Sequence, residues 1–174
     1  MPGSNPRALL LAVLAVATAS ASPAEGQCRL CATPTTALST SPGGDTIQLE
    51  IETDLNFDRL VLDGAGQGAA SIRPDGSNAA EGALAGVSPR AMVGTAVVRG
   101  LPGRVVKVEL PRRVELYSMG GGRITLDDVV SDLPSLPKLD PAGTLTFRFG
   151  GRVRISGDAD GDYRGDMPIT VEYQ

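Results

Sequence analysis

The residues best suited by type to do chemistry are two cysteines, Cys28 and Cys31, and an aspartate-rich run from Asp158 to Asp162. Cys28-Arg29-Leu30-Cys31 has the spacing of a thiol redox pair, but such a pair normally opens a helix after a strand, where the helix N-terminus stabilises a thiolate. Nothing strand-like precedes it, and with no histidine and no third cysteine in the chain a zinc site would lack two ligands. The pair reads as a small local disulfide or as two thiols in a mobile leader, with intermolecular exchange as the alternative. Asp158, Asp160 and Asp162 match the first alternate positions of a calcium loop, but Tyr163 stands where the sharp turn needs glycine and Ile169 where the closing glutamate belongs. A solvated Asp/Gly turn accounts for the same residues.

The remaining constellations are weaker. Asp127-Asp128 and Asp132 are close in sequence, yet paired acid catalysts need a cleft and a fixed spacing, so they read as a polar strand end. Arg164-Gly165-Asp166 spells a tripeptide that some integrins recognise, placed here at the start of a strand rather than on a loop. Gly64-Ala65-Gly66-Gln67-Gly68 has the glycines of a phosphate loop without the lysine or the following helix, and reads as a turn. No catalytic residue, metal ligand or cofactor is assigned.

Composition narrows the classes further. The 174 residues include no histidine and no tryptophan, three phenylalanines, three tyrosines, 22 glycines and 13 prolines, with a net charge of -4. Without histidine there is no Ser-His-Asp triad and no imidazole-bound metal. An acidic, aromatic-poor chain lacks the basic patches and stacking rings that bind nucleic acid. Residues 1–26 read as a signal peptide, with Arg7, an apolar run from Ala8 to Ala19 too short to span a bilayer, and then small residues. No later apolar stretch is long enough to cross a membrane, so the expected mature protein is secreted, to the periplasm or cell surface.

The elements that must position these residues are strands. Residues 27–45 read as an extended leader rich in Thr, Ser, Pro and Gly, and 46–174 as one domain. Ile47, Leu49 and Ile51 alternate with polar residues, as on a half-buried strand. Leu55–Phe57 and Leu60–Leu62 follow, and the interruption at Asp58-Arg59 reads as a bulge. Further strands are expected at 69–73, 91–99, 105–110, 113–117, 123–130, 144–149, 152–156 and 167–173. They are separated by Gly and Pro breaks at the spacing of a sandwich or barrel. Thr144–Phe149 and Arg152–Ile155 read as a hairpin through a two-residue Gly150-Gly151 turn, and the proline-rich 132–141 as a crossing from one sheet to the other. No sustained helical period occurs.

The last strand is the most informative. Met167, Ile169, Val171 and the penultimate Tyr173 alternate with Pro168, Thr170 and Glu172, and Gly161 lies fourteenth from the end. This resembles the terminal strand of subunits assembled by the chaperone-usher pathway, where such a strand offers main-chain hydrogen bonds and inserts alternate side chains into a partner. Cys-x-x-Cys, Gly94–Gly103, Gly143–Gly151 and the Gly161-Asp162-Tyr163-Arg164-Gly165 ending resemble a family of secreted Gram-negative domains of unknown function, DUF4402, related to spore-coat and pilin-like adhesin sandwiches. That resemblance implies no catalytic residues. The chain departs from pilins in placing both cysteines in the leader and in lacking an alternating apolar N-terminal extension, which argues against donor-strand polymerisation and leaves self-complementation open.

The expectation is an all-β, antiparallel immunoglobulin-like or pilin-like β-sandwich. It would act as a non-enzymatic structural or adhesive subunit, pairing through Met167, Ile169, Val171 and Tyr173 with a second copy or a periplasmic chaperone. The alternative is a monomeric sandwich that binds a glycan or small ligand through loops such as Gly64–Gly68 or Gly120–Gly122.

Overall fold

A computed structural model describes residues 30–36, 39–40, 45–63, 66–156 and 162–174. The expected signal peptide, Cys28 and the Asp-rich turn at 157–161 lie outside them. The described chain is all-β. In order come β1 (Leu30–Thr36), β2 (Ser39–Thr40), β3 (Thr46–Thr53), β4 (Leu55–Asn56), β5 (Leu60–Leu62), β6 (Gln67–Ile72) and β7 (Asn78–Gly82). They are followed by β8 (Leu84–Val87), β9 (Gly94–Arg99), β10 (Val106–Glu109), β11 (Arg113–Ser118), β12 (Arg123–Ser131), β13 (Thr144–Ser156) and β14 (Tyr163–Tyr173).

Hydrogen-bonded neighbours run β2, β3, β9, β13, β12, β11, β14, β1, β4. Beyond the two-residue β2, this path begins and ends on nearly one strand, because only Asp54 separates β3 from β4. Asn56 of β4 exchanges both backbone hydrogen bonds with Met92, just before β9, at 2.9 and 2.7 Å. The sheet thus closes into a barrel-like ring, which removes most of its open edges. All pairings are antiparallel except β1 with β14, which run parallel from Leu30 opposite Tyr163 to Thr36 opposite Ile169. That pair departs from the purely antiparallel expectation.

The described stretches of the leader, 30–36 and 39–40, accordingly belong to the fold. Leu30, Cys31 and Ala32 are buried, and β1 is held between β14 and β4. Sequence gave no sign of this strand because its apolar residues are consecutive and the rest is Thr and Pro, whereas a strand reads from alternation.

The expected hairpin at Gly150-Gly151 is absent. β13 runs straight through both glycines for 13 residues. Along one edge it pairs with β12, and along the other first with β9, up to Phe149 opposite Gly94, and then with β6, from Gly151 opposite Ile72. The glycines serve the exchange of partners. A Cβ on Gly150 would lie 2.0 Å from the Ile72 carbonyl oxygen, so only glycine lets the backbones pass this closely. Segment 132–141 also differs from expectation, since it links the neighbouring strands β12 and β13. Val106 N–H donates to the Pro137 carbonyl and Leu139 N–H to that of Arg104, so the segment lies along the start of β10 and buries Leu139.

One apolar core fills the ring. Phe57, Phe147, Phe149, Leu116, Leu126 and Met167 are among its largest fully buried side chains, and no polar or charged residue is buried among the described residues. β7 and β8 were not expected from the sequence. They belong to an excursion between β4 and β9 in which β6 pairs with β7 and β5 with β8.

Candidate functional site

The expected pairing residues converge on β14. Met167, Ile169 and Val171 are at most 1% exposed, all turned into the chain's own core. On one edge β14 carries β1 over residues 163–169. On the other it carries β10 over 170–173 and β11 at 163–164. β10 and β11 act as one interrupted strand: from Glu109 to Tyr117 is eight residues while their partners Thr170 and Arg164 are six apart, so two extra residues bulge out around Pro111. Pro168, opposite Thr35 in the β1 register, is exposed. The Arg164-Gly165-Asp166 tripeptide sits inside this strand, opposite Cys31, Ala32 and Thr33.

Tyr173 ties the end of β14 to two other parts of the chain. Its hydroxyl accepts from the Leu101 N–H at 2.7 Å and donates to the Thr46 carbonyl at 3.3 Å, while the Arg104 guanidinium lies 4.9 Å above its ring. A Cβ at position 100 would fall 2.3 Å from that hydroxyl, which accounts for Gly100. Cys31 is disulfide-bonded, and the only other cysteine in the chain is Cys28.

The carboxylates do not form an acid pair. Asp127 Oδ2 accepts from Arg154 Nε at 3.0 Å, Asp132 accepts from the backbone N–H and Nε of Arg148, and Asp128 occupies a left-handed conformation with φ 50° at the β12 bulge. Arg152 pairs in turn with Glu81 of β7 at 2.5 Å. These pairs form a charged ladder on the outer face beside a shallow groove of about 220 Å³ lined by Gly68, Ala69, Gly82 and the two arginines. Near the β11–β12 turn, the Tyr117 hydroxyl donates to Glu115, which raises its phenol pKa, and Arg123 stacks 5.3 Å over the ring. Met119 at that turn is fully exposed. On β10 the Glu109 carboxylate beside Lys107 raises the ammonium pKa.

A second, larger groove of about 490 Å³ lies at β5 and β8, lined by Asp58, Arg59, Val61 and the stretch Ala85–Arg90. Asp58 has a positive φ of 54°. Its backbone N–H donates to Asn56 Oδ1 at 2.6 Å, and its carboxylate accepts from the Ser88 hydroxyl at 2.6 Å across the groove. Of the loops expected to hold a ligand in the alternative reading, Gly64–Gly68 and Gly120–Gly122, no described residue lines this groove. The signal was present at Asp58-Arg59, where the alternation breaks.

A family model for a domain of unknown function, DUF4402, matches residues 47–173. No curated protein and no solved structure matches the chain.

Proposed function

Since the chain belongs to the DUF4402 family, a domain of unknown function, we propose its role from geometry: a non-enzymatic structural or adhesive subunit of the periplasm or cell surface. The observation that carries this reading is the double pairing of β14, which buries Met167, Ile169 and Val171 in the chain's own core and joins the strand to β1 over 163–169, to β10 over 170–173 and to β11 at 163–164. Such a domain is complete by itself and meets its neighbours through faces and edges. Complementation by a second copy or a periplasmic chaperone would act on the β1 side of β14. There seven residues of a sequence-distant strand would have to leave and a partner strand take their place.

The test is a lock. Thr33 and Asp166 are register partners and both exposed, so T33C/D166C can be oxidised to hold β1 in place. Mass is then measured by light scattering on the full chain from a periplasmic extract. Multimers or a co-purifying chaperone support a subunit role, and their loss on locking assigns the contact to the β1 side. A protein that stays monomeric and alone, locked or unlocked, overturns the reading.

A second reading is a monomeric domain that binds a glycan or small ligand through its loops. It is favoured by the groove at β5 and β8, whose volume of about 490 Å³ falls in the range of small-ligand sites.

A further inference from the structure

The groove at β5 and β8 combines three features. Asp58 holds a left-handed backbone, a conformation that costs a non-glycine residue free energy and that gathers at ligand sites. Its carboxylate and the Ser88 hydroxyl oxygen, joined at 2.6 Å by the one serine O–H, keep acceptor lone pairs for ligand hydroxyls inside the groove. Arg59 and Arg90 line the same groove, both exposed, and neither has an ion-pair partner among the described residues. Other arginines, by contrast, are matched with acids: Arg148 with Asp132, Arg152 with Glu81 and Arg154 with Asp127 on the charged ladder, and Arg99 with Glu50 between β9 and β3. Val61, 50% exposed, and Pro89 give the groove an apolar lining.

We propose that this groove binds an acidic saccharide, with its carboxylate on Arg59 and Arg90 and ring hydroxyls on Asp58 and Ser88. A guanidinium recognises a carboxylate through two parallel hydrogen bonds. A simple polyanion would satisfy the arginines but meet the Asp58 carboxylate with like charge. A sugar acid satisfies both, because its hydroxyls donate to Asp58, and its C–H face can lie on Val61 and Pro89. The inference rests on the second reading above and names its ligand class. It is independent of any contact made by β14.

The experiment is calorimetric titration of the full chain with oligogalacturonate, with a neutral galactose oligomer of equal length, and with inorganic polyphosphate. Saturable binding of the uronate, at least tenfold tighter than either comparator and weakened tenfold or more by R59Q/R90Q, is the expected result. R113Q, on β11, serves as the charge control and leaves binding unchanged. D58N removes the carboxylate with little change of shape and weakens uronate while relieving repulsion of polyphosphate, which separates a hydroxyl contact from bulk charge. Equal binding of the neutral oligomer overturns the acidic class and leaves the ligand reading intact. Equal binding of polyphosphate, or indifference to R59Q/R90Q, overturns the saccharide site. Absence of saturable binding by all three overturns the proposal and the ligand reading together.

Discussion

Close approach and strain are concentrated at a few residues, and each can be tested by a single substitution. Gly150→Ala places a methyl group 2.0 Å from a backbone oxygen that cannot move without opening the β13–β6 ladder. The expected loss is about 1–3 kcal/mol, the usual cost of overpacking, read as a lower denaturation midpoint. Gly86→Ala, with nothing within 4 Å of the added atom, should change stability by less than about 0.5 kcal/mol. The Glu115 contact that raises the Tyr117 phenol also has a readable consequence. A raised folded value means the neutral phenol is favoured in the folded chain. The contact therefore adds stability below the unfolded tyrosine pKa of about 10 and loses it as pH rises through the folded value. Absorbance titration near 295 nm should show Tyr117 ionising above the ordinary tyrosine range, and E115Q should return it toward that range.

Among elements, β13 shows how a familiar turn signal can mislead. Two glycines between apolar runs suggest a hairpin. A two-residue loop, however, would set Phe149 opposite Arg152 and Phe147 opposite Arg154, putting arginines on the core face. The buried residues Phe147, Phe149, Val153 and Ile155 keep one odd-numbered phase through the glycines, and only an uninterrupted strand preserves that phase. The correct answer was legible in the parity. β3, β10, β11 and β12 were legible from alternation alone. β7 was not, because Asn78-Ala79-Ala80-Glu81-Gly82 has no large apolar residue to mark a face. At the end of β14, Tyr173→Phe removes the hydroxyl that joins Leu101 and Thr46. It should cost about 1 kcal/mol, the net worth of a typical hydrogen bond. Met167→Ala, wholly inside the core, should cost about 2–5 kcal/mol. Equilibrium denaturation of the two variants distinguishes a surface tie from a core support.

At the scale of the whole molecule, local pattern identified the strands but not how they close. Ring closure depends on the Asn56–Met92 bridge and on the β1–β14 ladder. Each joins residues far apart in sequence through backbone groups that every residue carries, so no side-chain pattern announces them. The groove at β5 and β8 was hidden for a related reason, since it gathers Asp58 and Ser88 from 30 positions apart. The parallel sense of the β1–β14 pair has a mechanical consequence. Leu30 lies beside Tyr163, and at about 3.3 Å per residue Tyr173 is roughly 33 Å farther along the same axis. Tension applied between residue 30 and residue 174 pulls the two strands lengthwise past each other. All the hydrogen bonds of the ladder then share the load at once, whereas an antiparallel hairpin pulled from its open end yields one bond at a time. Single-molecule pulling along this axis should show a single high-force rupture, and pulling between residues 113 and 127, at the open end of the antiparallel β11–β12 pair, should release that pair at lower force. Stretched along this direction, the chain would resist as a shear clamp.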